Sequence, residues 1–435
     1  MNLLANLSQG VLGYGIKSIP EIQLNWIGTV IQWLIEGIGI IGVGIIVFTL
    51  ILKTIVLPLD IYSRIKTKKQ SLIMEKMRPQ MEKLQKQYAN DKNLYQQKVM
   101  ELQKKSGYSM FSACLPMIVS LVIFIVVFNA FSTYSQYATL ESYNDMVRDY
   151  NSVVEQYVYD ETTNPEGFLH HYDLGDGEYD FKVDFEAFAK VYSAANVEEG
   201  QPEMTEEEAY SALMDEYLES HTDVSIVEGA ENSDDDATRE AVRMTLVAFY
   251  IDDDAAAYVA EKYMERYESS EGNHFLWVRN LWYPDSMLSR EIPDFSTFRS
   301  SISSASIDDS YEESYNKVTA DLTQQKENYN GYFILIVLSI GVMLLQQFIS
   351  MRSNKATNEL SSVDGSAQRT TKWMMVLMPI MYGVFAFMYS SAFSIYMITN
   401  TTYSIITTLI INKAMNVWFE KRELQAEHKK MSKGK

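Results

Sequence analysis

The sequence predicts an all-α polytopic membrane protein: five transmembrane helices, a cytoplasmic helical hairpin, and an inserted, mainly helical extracytoplasmic domain. Three observations carry this. Apolar runs of about twenty residues recur five times, and at about 1.5 Å per residue each can cross a hydrocarbon core of about 30 Å. Residues 133–328 hold 45 Asp and Glu against 12 Lys and Arg, whereas the rest of the 435-residue chain holds 12 against 25. The net charge of −20 therefore averages two parts suited to different surroundings. Between the runs, apolar residues recur at spacings of three and four, the helical period.

The first 36 residues carry one basic residue, Lys17, and lack the basic start and small-residue cleavage site of a secretory signal. Within them "IQLNWIGTVIQWLIEG" reads as an amphipathic helix at the outer interface, with Trp26 and Trp33 at headgroup level; a plain extension of the first span is the alternative. The spans are expected at 37–59, 110–131, 331–350, 373–389 and 392–412. A single helix over the last two would be about twice the core thickness, so a tight turn is expected at Tyr389, Ser390 and Ser391.

Lysine-rich segments at 60–109, 351–372 and 413–435 are placed in the cytoplasm, because basic loops stay on that side. The N-terminus and the acidic segment 132–330 then lie outside. In the cytoplasmic segment, Met74, Met77, Met81, Leu84 and Tyr88 form one helical face and Tyr95, Val99 and Leu102 another, joined by "ANDKN". Two antiparallel helices follow, with a methionine-rich seam that serves either packing or an adaptable binding surface. Basic residues such as Lys66, Arg78 and Lys83 cover the outer faces.

The acidic segment has its own helical signals. Thr205 and Glu208 have the spacing of a capping box ahead of Tyr210, Leu213, Met214 and Tyr217. Helices are also expected in "DDATREAVRMTLVAFYI" and "DDDAAAYVAEKYMERYES", so a folded domain near 139–272 is anticipated. The aspartate triplets at 234–236 and 252–254 lack the glycine and glutamate of a calcium loop and are read as helix N-terminal acids. His170 and His171 have no partner at ligand spacing, and Cys114 is the sole cysteine, so neither a metal site nor a disulfide is expected.

No GxSxG, HExxH, phosphate-binding loop or intramembrane carboxylate cluster is present, which argues against enzymatic catalysis and against a cofactor. What stands out is polarity inside the spans. Lys53 lies in the first, where a charge costs about 2.5–3.5 kcal/mol on insertion scales. Gln346 and Gln347 end the third, and Thr399, Asn400, Thr401, Ser404, Thr407 and Thr408 crowd the fifth. Lipid cannot satisfy such groups, so they are expected to face other helices or water. Snorkelling alone would account for Lys53; a hydrated groove would account for the lysine and amides together.

The motifs resemble the YidC family of membrane protein insertases. "TLILKTIVLPLDIYSRIKTKKQ" matches the family's first span, with lysine at 53 where arginine is usual, and "YSMFSACLPMIVSLVIFIVVFNAF" resembles the second. "HFLWVRNLWYPDS" resembles the lead-in to the third span and "LLQQFISMRSNK" its end, while residues 372–411 resemble the last two, including Pro379, Tyr396 and Asn400. The acidic insertion is much longer than in usual five-span members, and "SSAFSIYM" lacks the proline and glycine common at the last turn. The resemblance implies an insertase of the bacterial plasma membrane. Its substrate groove would use Lys53, Gln346, Gln347, Tyr396 and Asn400, with nascent membrane proteins and the lipid bilayer as partners, the ribosome and the Sec translocon as further ones, and no DNA. Two rivals stay open, a small-anion transporter using Lys53 and a membrane-anchored extracytoplasmic sensor or scaffold.

Overall fold

The computed structural model describes residues 16, 18–106, 110–175, 178–197, 201–220, 236–269, 272–353, 377 and 379–433; within this, the side chains of residues 71, 74, 92, 110–121, 171–175, 178–181, 220, 353, 419, 420, 422–424 and 426–433 are not described. The chain forms two compact units. One comprises Gln23–Tyr137, Ser270–Glu291 and Asn328–Lys435, the other Met1–Ile22, Ala138–Ser269 and Ile292–Glu327.

In the first unit, helix α1 (Trp26–Ile38) starts at Asn25, whose side chain accepts from Gly28 N, and stops at Gly39 (φ 76°), where a residue without Cβ enters the left-handed region freely. The amphipathic segment is thus a separate helix and does not extend the first span. Its Ile31 and Ile35 are buried while Trp26 and Trp33 are 77% and 71% exposed. Gly44 lets α1 approach α2 (Ile41–Gln87), since a Cβ there would sit 3.0 Å from Ile35 Cα. Helix α2 is about 70 Å long and runs through Pro58 and Pro79, so it continues past the expected span end at 59 into the hairpin. Each proline removes one backbone hydrogen bond without ending the helix.

Helix α3 (Lys92–Lys105) begins at Asp91, which accepts from Asn93 N and Leu94 N, and returns against α2. Met77 and Met81 are buried against Ile73, Val99 and Leu102, so these two methionines serve the seam. The long helix α4 (Met110–Tyr157) follows, its residues to Tyr137 belonging to this unit. After residue 270 an irregular platform forms. Asn330 donates to Asn280 O, Tyr283 O and Pro284 O, and Trp282 packs edge-on against Tyr134.

Three further helices complete the unit when labelled in chain order after the other unit's elements. These are α11 (Ile334–Ser353), α12 (Pro379–Met388) and α13 (Ser391–Lys433). The break at Tyr389 and Ser390 coincides with the expected turn, and Ser391 donates from N and Oγ to Tyr283 O. Two stretches among the described residues are long and apolar enough to cross a membrane, Ile41–Gln70 and Ile334–Arg352. The hydroxyls and Asn400 lower the hydropathy of α13. Of the other expected spans, residues 373–376 and 378 lie outside the described residues, as does most of the loop 351–372.

Among its described residues the second unit is helical with one two-stranded antiparallel sheet, which the sequence reading did not anticipate. Strand β1 (Leu169–Gly175) pairs with β2 (Glu178–Val183), Leu169 opposite Val183. The signal was there: Gly175-Asp176-Gly177 separates two runs rich in Tyr, Phe and His. Helix α5 (Phe185–Asn196) is capped by Asp184, and α6 (Glu206–Ser220) by the expected box, with Thr205 N donating to Glu208 and Glu208 N to Thr205 Oγ1.

Helix α7 (Asp236–Glu268) is continuous where two helices were expected. Asp252–Asp254 therefore lie inside it, a correction to their reading as N-terminal acids. They hold neighbours: Tyr150 and Tyr157 of α4 donate to Asp252 and Asp254, and Lys317 pairs with Asp252 at 2.9 Å. Burial and the adjacent Asp252 push the Tyr150 hydroxyl far above its ordinary pKa, so it remains a donor.

The unit also takes in more chain than 139–272. Short helices α8 (Phe295–Ser301), α9 (Glu312–Val318) and α10 (Thr323–Glu327) place Phe298 and Tyr315 5.3 and 6.0 Å from Tyr143. At the N-terminal side, Asn144 binds both N and O of Ile19, and Asn151 those of Ile16. His170 stacks on Tyr159 and lies 4.0 Å from Asp184; His171's side chain lies outside the described residues. Among the described residues no group of three or more His, Cys, Asp or Glu could hold a metal ion.

Candidate functional site

Within the first unit, α13 packs on both α2 and α11, and these three helices carry every expected site residue. Lys53 on α2, Gln346 and Gln347 on α11 and Asn400 on α13 are half-buried. Tyr396, one turn before Asn400, is 3% exposed, its ring 5.1 Å from that of Phe131 and 5.9 Å from that of Phe393. An aromatic cluster continues around it through Phe128, Tyr389 and Phe385.

Three hydroxyls of α13 behave differently from expectation. Ser404 donates to Asn400 O, Thr407 to Tyr403 O and Thr408 to Ser404 O, one turn back on their own helix. Thr49 and Thr54 of α2 do the same. The carbonyl one turn away is the acceptor a hydroxyl on a helix reaches without any partner element. These groups are therefore satisfied locally and need neither another helix nor water. The amides have no such local outlet. Gln347 Oε1 is buried without a hydrogen-bond partner among the described residues, as is Ser394 Oγ. An orphaned buried acceptor costs about 1–3 kcal/mol, so Gln347 is poised for a donor from water or a bound chain.

A cavity of about 680 Å³ opens between α2, α11 and α13. Gln346 lines it, but Lys53, Gln347, Tyr396 and Asn400 do not. Thr408 lines it too, but most of the remaining polar lining comes from residues that the sequence reading did not assign to a site. Asp60, Ser63, Arg64, Thr67 and Lys68 line it from α2, joined by Arg352 and by Asn412 and Asn416. The α2 positions recur at three and four, so the signal was a polar stripe at helical spacing, hidden among the neighbouring exposed lysines. The arrangement can bind an anionic or polar group; among the described residues it offers no nucleophile paired with a base.

Two apolar stretches of membrane-crossing length, packed beside half-buried amides and a cationic cavity, are features of a helical integral membrane protein with a polar recess among its helices. The chain belongs to the family described as the 60Kd inner membrane protein, whose model matches residues 33–172 and 261–420, well over half of the chain. Residues 173–260, which include β2, α5 and α6, fall between the matched segments.

Several curated relatives carry the name membrane protein insertase YidC. That of Fusobacterium nucleatum subsp. nucleatum is 36% identical over 91 residues, covering 21% of this chain and 42% of the relative. That of Caldanaerobacter subterraneus subsp. tengcongensis is 30% identical over 114 residues, covering 26% and 53%. The relative from Leptospira interrogans serovar Lai is 36% identical over 91 residues, covering 21% of this chain and 14% of the relative. The chain thus spans about half or less of the length of these relatives. No solved structure matches.

Proposed function

We propose that the protein is a membrane protein insertase that guides nascent membrane proteins into the bilayer. The observation that carries the reading is the half-buried Lys53, Gln346, Gln347 and Asn400 on three packed helices, two of which hold apolar stretches of membrane-crossing length. A recess with a cation, half-buried amides and the unpartnered Gln347 Oε1 lowers the cost of moving a polar or acidic segment partway across, and the client's apolar helix then leaves sideways into lipid. The function names of the relatives support the same reading.

In this reading the chain crosses the membrane five times, with its N-terminus and the acidic unit outside and its basic tail in the cytoplasm. Lys53 attracts acidic client residues as a point charge, the amides of Gln346, Gln347 and Asn400 exchange hydrogen bonds with client backbone, and buried Tyr396 closes the recess against the aromatic cluster. No covalent chemistry is involved, since moving a segment breaks and makes only non-covalent contacts. The ribosome and the translocon are the partners expected on the basic cytoplasmic surfaces.

The test is insertion of a client with an acidic translocated segment into proteoliposomes holding the purified protein. Lys53→Arg retains insertion and Lys53→Leu lowers it, because the recess needs a cation more than a planar fork. Equal insertion by the leucine variant removes Lys53 from the mechanism.

A further inference from the structure

The cavity between α2, α11 and α13 is more cationic than a recess for passing chain requires. Arg64, Lys68 and Arg352 line it against a single acid, Asp60, and none of the three cations has a hydrogen bond or ion pair among the described residues. Their placement is selective. Arg64 and Lys68 are half-buried in the cavity wall, whereas Lys66 and Lys69 on the same helix project to solvent. Arg64 and Lys68, drawn partly out of water with one acid, Asp60, in the same lining, lose hydration that an anion entering among them restores, while Arg352 stays exposed at the mouth.

The donor set narrows the anion. A guanidinium presents paired N–H groups that match two oxygens of a phosphate, and a neighbouring ammonium adds a point charge. Ser63 lies one residue before Arg64 and adds a hydroxyl; Thr67 already donates to Ser63 O, so its hydroxyl offers only lone pairs. The rim differs from the floor. Phe348, one turn before Arg352, is 57% exposed and Leu409 is 54% exposed, although both line the cavity. A soluble phosphate has no use for an apolar rim; an amphiphile does.

We propose that this cavity holds the phosphodiester headgroup of an anionic phospholipid, with Arg64, Lys68 and Arg352 on the phosphate and the acyl chains leaving over Phe348 and Leu409. About 680 Å³ suits a headgroup and its glycerol better than a folded segment. The site rests on the membrane placement of α2 and α11 in the reading above, and not on Lys53 or on any client. A lipid held there bridges α2, α11 and α13 and keeps the wall of the recess closed to bulk lipid.

The experiment uses the full-length protein, purified in detergent, stripped of lipid and offered phosphatidylglycerol, phosphatidylcholine or inorganic phosphate, with retained lipid counted by native mass spectrometry. Phosphatidylglycerol is retained over phosphatidylcholine by the unaltered protein. The double variant Arg64→Gln, Lys68→Gln loses about tenfold of that retention, while Lys66→Gln, Lys69→Gln, with the same change in net charge, stays within about twofold. Lys68→Arg restores binding when combined with intact Arg64, which excludes misfolding as the cause. Equal loss in both double variants reduces the site to diffuse surface charge and overturns the proposal. So does equal retention of the two lipids, or displacement of phosphatidylglycerol by inorganic phosphate or by an acidic client peptide at comparable concentration. Insertion by the Lys53 variants is read in a separate assay, so failure of the insertase reading leaves this result standing on its own.

Discussion

Asp285 offers the sharpest test of how the first unit is held together. Its carboxylate is fully buried and accepts from Tyr332 N at 2.7 Å, Leu335 N at 2.6 Å and Trp277 Nε1 at 3.3 Å. It therefore caps α11 from 50 residues earlier in the chain, with its charge at the positive end of the helix dipole. Asp285→Ala removes a cap worth about 1–2 kcal/mol and leaves the buried Leu335 N–H and the part-buried Tyr332 N–H without acceptors, at up to about 1–3 kcal/mol each. These terms overlap, so a loss of about 3–5 kcal/mol is expected. Asp285→Asn keeps one acceptor and turns an N–H toward the other donor, so its loss is smaller, about 2–3 kcal/mol.

Gly331 supplies an internal control. A Cβ there would lie 1.9 Å from Asp285 Oδ1, so Gly331→Ala displaces the same carboxylate. The double variant should then cost less than the sum of the single ones by at least about 1 kcal/mol. Thermal unfolding in detergent, followed by tryptophan fluorescence, reports on this unit alone, because all six tryptophans lie in its segments. For a unit of this size, about 3–5 kcal/mol corresponds to a Tm lowered by about 10 °C. A shift of under about 2 °C for Asp285→Ala, or strict additivity with Gly331→Ala, would refute the capping argument.

Other outcomes are equally specific. With Cys114 replaced by Ser, Gln346→Cys should react with a water-soluble maleimide, since residue 346 lines the cavity, whereas Ile410→Cys on the exposed apolar face of α13 should be protected; equal rates would mean the cavity is dry. Asp294→Ala should remove the cap on Thr297 N and cost the second unit about 1 kcal/mol, read from tyrosine circular dichroism. Hydrogen bonds to Thr297 hold the Asp294 carboxyl below its usual range, so its contribution is complete above about pH 4 and fades as the pH falls through the lowered value, a limb that Asp294→Asn should lack. A fragment of residues 139–272 should melt without cooperativity, because Tyr143 loses Phe298 and Tyr315, while residues 138–327 should restore a cooperative transition; identical melts would contradict the unit boundaries.

What the sequence determined by itself is local. The capping box at Thr205 and Glu208, the turn at Tyr389 and Ser390, the seam of Met77 and Met81, and the separate amphipathic helix each follow from residues within a turn or two of one another. Caps and periodicity act over that range, so they are legible without knowing the fold. The half-buried positions of Lys53, Gln346, Gln347 and Asn400 were legible for a related reason, since polar groups in apolar runs must find cover. The tertiary structure decided what depends on distant partners. Asp252 and Asp254 continue α7 as anchors for Tyr150 and Tyr157, about a hundred residues earlier. Segment 292–327 joins the second unit through Tyr143, and Asn144 fixes Ile19 across 125 positions. The cavity is of the same kind: the stripe from Asp60 to Lys68 looks like any solvated basic face until α11 and α13 close over it and leave Arg64 and Lys68 half-buried, because burial is a property of the assembled surface and not of the residue.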